Sequence, residues 1–393
     1  MIGRRLLTIG ALLLAATIAG GADEANPQPS SPYAPWKNGP SQDASFFPIG
    51  VFTQEPAYAP RYKSAGVNLY VGLWNGPTEA QLAELKKCGM QVVCDQNAVG
   101  LAHKNDPTIV GWLAGGVPDE SVARPRGNGR RPPVPLAKVV QQYEALRKAD
   151  PSRPEFISLS QAVAWDDWDG RGDRNNHPED YPEYLKGCDI AFFEFFPAAN
   201  SDPRVKGQLD FVARGVERLI RWGEGRKIVW NIIECTRVNW DTKATPRQVK
   251  AEVWMSLVHG SRGIIYFCHE FKPRSTDRAL LNDPQMLAAV TAINKQVREL
   301  APALNSATVQ DTVKVECSNK DVPVATMVKK QGGATCVFAV AMKPGETEAA
   351  FTLDGLAAGA QVEVLGEDRK IEPADGKFRD QFRDWDVHLY RVR

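Results

Sequence analysis

The sequence predicts an α/β fold, a (β/α)8 TIM barrel followed by a small all-β sandwich domain. Three observations predict this fold class. The length of 393 residues suits a barrel with an added domain better than one small module. From Phe46 onward, short apolar β-rich runs alternate with helical patterns eight times. After Ser306, short alternating segments are separated by Gly, Pro and Asp turns.

A secretory signal peptide is predicted at residues 1–22. Arg4 and Arg5 precede an apolar run at 6–18, and small residues follow it at the usual cleavage position. The run is shorter than the ~20 residues that a bilayer span requires. The alternative is a retained N-terminal anchor, although the chain has no lipobox cysteine there. We therefore expect a secreted or periplasmic protein, in which residues 23–45 form an extended linker rich in Pro, Ser, Asn and Gly.

The strand candidates of the barrel are mostly continuous apolar runs. A parallel strand is buried on both faces, so it lacks the polar alternation of a half-exposed strand. The eight candidates are residues 46–53, 66–73, 91–97, 109–114, 155–160, 190–196, 228–234 and 263–269. Their number and order match a barrel.

Helices are predicted between these strands from their start and stop residues. Pro77-Thr78-Glu79 begins one helix, which Gly89 ends. Others are predicted at residues 136–149, 211–222, 246–260 and 284–305. A doubly wound open sheet is the alternative, but no GxGxxG motif follows any strand. We therefore expect the barrel domain at residues 46–306.

The C-terminal β-sandwich is predicted at residues 307–393. Alternating apolar and polar residues indicate strands with one buried face. The candidates are residues 313–317, 324–329, 335–342, 348–353, 361–365 and 388–392.

The composition excludes several classes of protein. Lys and Arg total 48 against 47 Asp and Glu, so the chain lacks the basic charge of a nucleic-acid-binding protein. With 43% hydrophobic and 24% charged residues, it is neither disordered nor a multispanning membrane protein. The sequence predicts no cofactor, and the oligomeric state stays open.

The seven cysteines do not form a zinc-binding pattern, because their number is odd and no CxxC occurs. An exported chain can form disulfides. Cys317 and Cys336 are the preferred pair, since both lie in candidate strands of the sandwich.

Candidate site residues follow from the barrel rule that active sites lie at the C-terminal ends of the strands. These ends are rich in acidic and aromatic residues. Two carboxyl groups flanked by aromatic side chains are what glycoside hydrolysis requires, one as proton donor and one as nucleophile or base. The candidates for substrate contact are Trp74, Asp95, Asn97, Trp112, Trp165, Glu194, Trp240, Tyr266, His269 and Glu270. Each has an alternative role in core packing or strand-end hydrogen bonding.

Several segments resemble the glycoside hydrolase barrels of clan A, the β-galactosidase-like superfamily. Asn-Asp-Pro-Thr-Ile-Val-Gly-Trp at 105–112 is similar to their approach to strand four, and residues 189–197 resemble their strand six. Residues 253–267 are similar to their seventh helix and eighth strand. Glu234 ends a segment that resembles the strand carrying their nucleophile. The resemblance implies a retaining glycosidase acting on a poly- or oligosaccharide, with Glu234 as nucleophile.

The chain departs from this family at the general acid/base. Related barrels often place Asp-Glu-Pro three residues after the Gly-Trp pair, whereas this chain has Gly116-Val117-Pro118. Neither Gly116 nor Val117 can transfer a proton. Asp119 and Glu120 are therefore the remaining candidates for this role, with exposed loop acids as the alternative reading.

Two other functions stay open. The first is a catalytically impaired barrel that binds carbohydrate without hydrolysing it. The second is a metal-dependent hydrolase using Asp95, His269 and Glu270, which is disfavoured because no HxH or similar close ligand spacing occurs. No metal site is therefore predicted. The sugar, its linkage and exo or endo action cannot be derived from the sequence.

Overall fold

The computed structural model describes residues 31–123, 130–238, 242–357 and 359–393. The predicted signal peptide and Trp240 lie outside the described residues. Within the described residues, no helix is both long and apolar enough to cross a membrane.

Eight parallel strands close into a barrel, which confirms the predicted fold class and excludes the open sheet. Neighbours around the barrel follow the order β1-β8-β7-β6-β5-β4-β3-β2. The strands are β1 (Ile49–Phe52), β2 (Leu69–Val71), β3 (Gln91–Asp95), β4 (Ile109–Leu113), β5 (Glu155–Leu159), β6 (Ile190–Glu194), β7 (Ile228–Glu234) and β8 (Ile264–Phe267).

The interior of the barrel is filled by apolar side chains from most of its strands. Because the other face of each strand packs against helices, the strands are apolar on both faces, and this explains the continuous runs in the sequence. The interior residues include Leu69, Val71, Val93, Val110, Phe156, Ile190, Phe192, Trp230, Ile232, Ile265 and Phe267.

The helices start where the predicted capping residues stand. The side chains of Thr78 and Thr245 each accept a hydrogen bond from the backbone N–H three residues later, in a capping box. Asp283 likewise caps the long helix that follows it. The helices are α1 (Ala59–Ser64), α2 (Glu79–Lys87), α3 (Ala98–Ala102), α4 (Leu136–Ala149), α5 (Tyr181–Tyr184), α6 (Asp210–Trp222), α7 (Pro246–Val258), α8 (Pro284–Glu299) and α9 (Ala301–Leu304).

The segment at residues 31–45 is packed against the barrel and is not a free linker, which corrects that part of the linker prediction. Tyr33 is buried, and its hydroxyl donates to the Arg262 carbonyl oxygen at 2.8 Å. The same hydroxyl oxygen accepts the Nε1–H of Trp230 at 3.0 Å. Arg262 precedes β8, so this contact lies at the N-terminal end of the barrel. The segment therefore helps to close the end opposite the predicted site.

The C-terminal residues form two antiparallel sheets, as predicted for a sandwich. One sheet has the order β9-β12-β15 and the other β10-β11-β16-β13-β14. Two strands, β14 and β15, were not predicted, because polar and charged residues dominate them. The strands are β9 (Val313–Cys317), β10 (Val324–Gln331), β11 (Ala334–Ala341), β12 (Thr347–Leu353), β13 (Val362–Val364), β14 (Arg369–Ile371), β15 (Lys377–Phe382) and β16 (Val387–Val392).

The sandwich packs on the outer face of α7. The rings of Trp254 and Phe338 lie 5.4 Å apart between their centroids, inside an apolar cluster shared by the two domains. The predicted Cys317–Cys336 disulfide is absent, and both thiols are free. Cys336 faces this shared cluster, whereas Cys317 lies beside the core between the sheets, so the two side chains belong to different packing layers.

Candidate active site at the C-terminal end of the barrel

Two β-branched residues near the C-terminal ends of the strands adopt the left-handed backbone region. Thr53 follows β1 with φ 45°, and Val238 follows β7 with φ 52°. Such a conformation costs about 1–3 kcal/mol for a residue of this type. Backbone strain of this kind concentrates at functional sites, where the surrounding structure maintains it. The two strained residues therefore indicate a functional site at this end of the barrel.

An aromatic platform, formed by Trp74, His269 and Phe271, lies at this end. Trp74 is 49% exposed and Phe271 is 48% exposed, whereas His269 between them is buried. The ring centroid of His269 lies 5.8 Å from that of Trp74 and 6.1 Å from that of Phe271. The platform therefore offers two aromatic surfaces to solvent.

The imidazole of His269 supports the platform. Its Nε2 lies 3.0 Å from the carbonyl oxygen of Phe52 and 3.1 Å from Nε2 of Gln54, so polar contacts fix the orientation of the ring. Desolvation lowers the pKa of His269, which keeps the ring neutral. We infer that this histidine orients Trp74 and Phe271.

The C-terminal end of the barrel is called the mouth here. Among the strand-end carboxyl groups at the mouth, Glu194 has the most strongly raised pKa. It is the last residue of β6 and is partly exposed. Desolvation raises the pKa of Glu194 to about 8, and the negative charges of Glu120 and Asp119 add to the effect. A carboxyl group with this pKa is mostly protonated at neutral pH and can donate a proton. Glu120, on the loop after β4, is its partly exposed neighbour.

Asp119 does not reach the mouth of the barrel. It is fully buried, and it accepts hydrogen bonds from the Ser160 hydroxyl at 2.6 Å and the Tyr181 hydroxyl at 2.8 Å. The backbone N–H of Ser160 donates a third bond at 3.0 Å. These bonds tie the loop after β4 to the end of β5 and to α5. Asp119 is therefore placed as a structural carboxylate, in contrast to the predicted proton donor.

Glu234 is also fully buried. Its two carboxyl oxygens accept the backbone N–H groups of Ala198 at 2.6 Å and Ala199 at 2.8 Å, in the loop after β6. Its carboxyl group also meets that of Glu252 on α7. Burial raises the pKa of Glu234 to about 7, against the lowering effect of the two amides. The geometry differs from that of the predicted nucleophile, since solvent does not reach the carboxylate.

Three other predicted residues are engaged in hydrogen bonds within the chain. Trp112 and Tyr266 are fully buried among residues of the helix layer, where Trp112 donates to Asp150 at 3.0 Å and Tyr266 to Asn294 at 2.8 Å. Asn97 caps α3 by accepting the Gly100 N–H at 2.8 Å. The burial of Trp112 and Tyr266 corrects the prediction that they contact substrate, whereas Asn97 is partly exposed and is held by its cap.

The remaining predicted residues lie nearer the rim. Trp165 is 9% exposed, and the guanidinium of Arg204 covers its ring at 4.7 Å. Asp95 is exposed at the end of β3. Glu270 pairs with Arg237, with Nε and Oε1 3.3 Å apart.

No group of His, Cys, Asp or Glu in the described ranges has the arrangement of a metal site. His269 contacts the Phe52 carbonyl, and Glu270 pairs with Arg237.

Two residues at this end were missed by the sequence analysis. Phe271 was not predicted because it lies beyond the end of β8. It follows His269 by two residues and so continues the alternation of side chains along that strand. Gln54 is buried and accepts the Tyr62 hydroxyl at 2.5 Å, next to His269. Nothing in the sequence separates it from an ordinary loop glutamine.

No family model and no curated protein matches the sequence. Solved structures with a similar fold include a family 39 glycoside hydrolase from Bacteroides cellulosilyticus, with 13% identity, a TM-score of 0.50, and coverage of 90% of this chain and 83% of that chain. A Bacteroides fragilis protein provisionally named an alpha-galactosidase has 10% identity, a TM-score of 0.53, and coverage of 89% and 79%. At such identities the similarity concerns the fold. The chain therefore has a (β/α)8 barrel followed by a β-sandwich, a fold that it shares with these solved structures.

Proposed function

We propose that the protein is a glycoside hydrolase in which Glu194 is the general acid and Glu120 is the second carboxylate. The observation that carries the proposal is the position of Glu194, partly exposed at the end of β6 beside Glu120, where desolvation raises its pKa to about 8. Pairs of carboxyl groups whose surroundings hold one of them protonated are suited to acid and base roles. The exposed rings of Trp74 and Phe271 at the same mouth supply stacking surfaces for a sugar.

In this mechanism the protonated Glu194 donates to the glycosidic oxygen as the bond to the anomeric carbon breaks. Glu120 attacks that carbon directly if the two carboxyl groups are about 5–5.5 Å apart, and activates water if they are about 6.5–9.5 Å apart. We propose the direct attack, which retains the anomeric configuration through a glycosyl-enzyme intermediate. Water then hydrolyses the intermediate, and Glu194 accepts its proton as the base.

Glu234 has a positioning role in this proposal. Its bonds to Ala198 and Ala199 hold the loop that follows β6, and β6 ends with Glu194. A change at Glu234 would therefore act on stability and on the placement of Glu194.

The test is hydrolysis of a panel of polysaccharides and aryl glycosides by the purified protein, measured by the release of reducing ends. Glu194→Gln and Glu120→Gln should each lower kcat by about 10²–10⁴-fold, the usual contribution of a positioned acid or base. The exposed Glu372→Gln on the sandwich is the matched control and should leave kcat unchanged. Full activity in Glu194→Gln would refute the proposal.

The second candidate function is carbohydrate binding without hydrolysis. It is favoured by Gly116 and Val117 at the family's acid positions and by the burial of Asp119 and Glu234. This function predicts saccharide affinity with no reducing-end release. A combined Gly116→Asp and Val117→Glu variant should then gain hydrolysis, although Gly116 has φ 77°, which strains any other residue.

We also propose that the protein is exported. The apolar run after Arg4 and Arg5 supports this. N-terminal sequencing of the protein expressed from its full reading frame should find Asp23 or a nearby residue first. An intact Met1 in a cytoplasmic fraction would contradict export.

A further inference from the structure

We propose that the saccharide bound at this mouth is anionic, specifically a uronate-bearing oligosaccharide, and that the hairpin after β8 binds its carboxylate. This inference rests on the proposed function in one respect, since both place a saccharide at the same mouth.

The hairpin, here residues 270–276, has a fixed geometry. Glu270 and Thr276 exchange two backbone hydrogen bonds, of 2.9 Å and 2.8 Å, so residues 271–275 form the tip. The N–H of Phe271 donates to the Val238 carbonyl at 2.7 Å, which ties the tip to the strained loop after β7. The tip is therefore positioned before any ligand arrives.

Two cations stand at the tip beside an exposed ring. Lys272 and Arg274 are exposed, follow Phe271 by one and three residues, and have no ion pair within the described ranges. A flexible cation without a partner next to an aromatic surface is suited to a ligand with an apolar face and a negative charge. A pyranose ring that carries a carboxylate has both features.

The nearby acids do not cancel these charges. Glu270 is engaged by Arg237, with Nε and Oε1 3.3 Å apart. Asp277 is partly exposed, and its charge acts on His269. Arg278, a third cation, donates to the Tyr58 hydroxyl at 2.7 Å. The tip therefore presents a net positive charge next to the platform.

The platform and the proposed acid share one mouth. The ring of Phe267 lies 5.1 Å from that of His269 and 5.0 Å from that of Phe196, measured between centroids. Phe196 comes two residues after Glu194. Buried ring contacts therefore connect the platform, on the β2 and β8 side, to the end of β6.

The test is calorimetric binding of oligogalacturonate and of its neutral methyl ester to the full chain. We expect oligogalacturonate to bind at least about 10-fold more tightly, a difference of about 1.4 kcal/mol. The combined Lys272→Ala and Arg274→Ala variant should abolish that difference, whereas Lys320→Ala, an exposed lysine on the sandwich, should preserve it. Trp74→Ala and Phe271→Ala should weaken both ligands alike. All of these positions are exposed, and circular dichroism checks that each variant is folded.

Equal binding of the two ligands, or an unchanged preference in the Lys272 and Arg274 variant, would overturn the inference. Dextran sulfate that binds through the same residues while oligogalacturonate does not would overturn the uronate assignment. Binding of neutral oligosaccharides alone would refute the inference and leave the proposed function standing. Failure of every saccharide to bind or be hydrolysed would refute both.

Discussion

The carboxyl groups of Glu234 and Glu252 meet in a fully buried contact between β7 and α7. Both oxygens of Glu252 find no hydrogen-bond donor in the described part of the chain. Two carboxylates can only accept, so one of the pair must carry a proton to bond the other. The amides of Ala198 and Ala199 stabilise the charged form of Glu234. The proton therefore belongs on Glu252, whose pKa burial and the Glu234 charge raise well above its ordinary value.

This pair makes stability depend on pH. Since the pKa of Glu252 is raised in the folded state, its stabilising effect is complete below the unfolded value of 4.5 and declines as the pH rises toward the folded value. Glu252→Gln keeps a donor toward Glu234 and cannot ionise. We expect it to raise the free energy of unfolding at pH 8 by about 1 kcal/mol or more, and to change it little at pH 4.5.

Urea unfolding of the variant and the wild type at both pH values checks this prediction. Glu372→Gln, at an exposed position, should show no such difference. Burial raises the pKa of the nearby Cys235 thiol well above its ordinary value, so the comparison stops at pH 8. A variant that is less stable than the wild type at pH 8 would argue against the shared proton.

Glu155, the first residue of β5, offers a second pH test. It is 1% exposed, and neither of its carboxyl oxygens has a donor in the described ranges. Desolvation, with the charges of Asp189 and Asp150, raises its pKa to about 9. Because the unfolded chain ionises this group first, stability is lost as the pH rises from the ordinary value toward 9. Glu155→Gln should therefore stabilise the protein at pH 7.5 by roughly 2–4 kcal/mol, with little gain at pH 4.5. Equal midpoints of thermal unfolding for Glu155→Gln and the wild type at pH 7.5 would contradict the raised pKa of Glu155.

Trp112 and Trp74 form a matched pair for separating packing from binding. Trp112 is fully buried, donates to Asp150, and lies under the guanidinium of Arg153 at 5.4 Å. Trp112→Phe should lower the free energy of unfolding by about 1–2 kcal/mol, since the variant loses a buried hydrogen bond and packing area. Trp74→Phe should change it by less than about 0.5 kcal/mol, because the side chain is half exposed. Loss of saccharide affinity in a folded Trp112→Phe protein, with Trp74→Phe unaffected, would reverse our assignment.

Tyr33 tests the packing of the N-terminal segment. Tyr33→Phe leaves the Trp230 N–H and the Arg262 carbonyl without their partner at the closed end of the barrel. We expect a loss of about 1–3 kcal/mol in the free energy of unfolding, the cost of unsatisfied buried polar groups. Tyr58→Phe, which removes one partly exposed contact to Arg278, is the control and should cost less. An unchanged midpoint in Tyr33→Phe would indicate that the segment does not close the barrel.

The fold could be predicted from the sequence because the local pattern of apolar residues shows which segments are buried. The strand Ile228–Glu234 and the helix Leu136–Ala149 have the predicted bounds, since a continuous apolar run and clear stop residues delimit them. Strands β14 and β15 could not be predicted, because their pairing with β13 and β12 overrides their polar composition.

The site was harder to predict because strand-end residues can turn in several directions. The carboxylate of Glu234 is held by amides of a loop far away in the chain, which no local pattern reveals. Asp119 and Glu120 are adjacent, yet one is buried against Ser160 and the other lies beside Glu194. The sequence indicates which residues end a strand, and tertiary contacts decide which of them reach the mouth.

The most direct test of the account is the pH dependence of kcat/KM for glycan hydrolysis in the wild type and in Glu194→Gln. If Glu194 is the proton donor, wild-type activity should fall as the pH rises through about 8, because the donor loses its proton there. Glu194→Gln should lose about 10²-fold or more of the activity, and its residual rate should no longer fall near pH 8. An active Glu194→Gln protein with the wild-type profile would contradict the assignment of Glu194 as the acid.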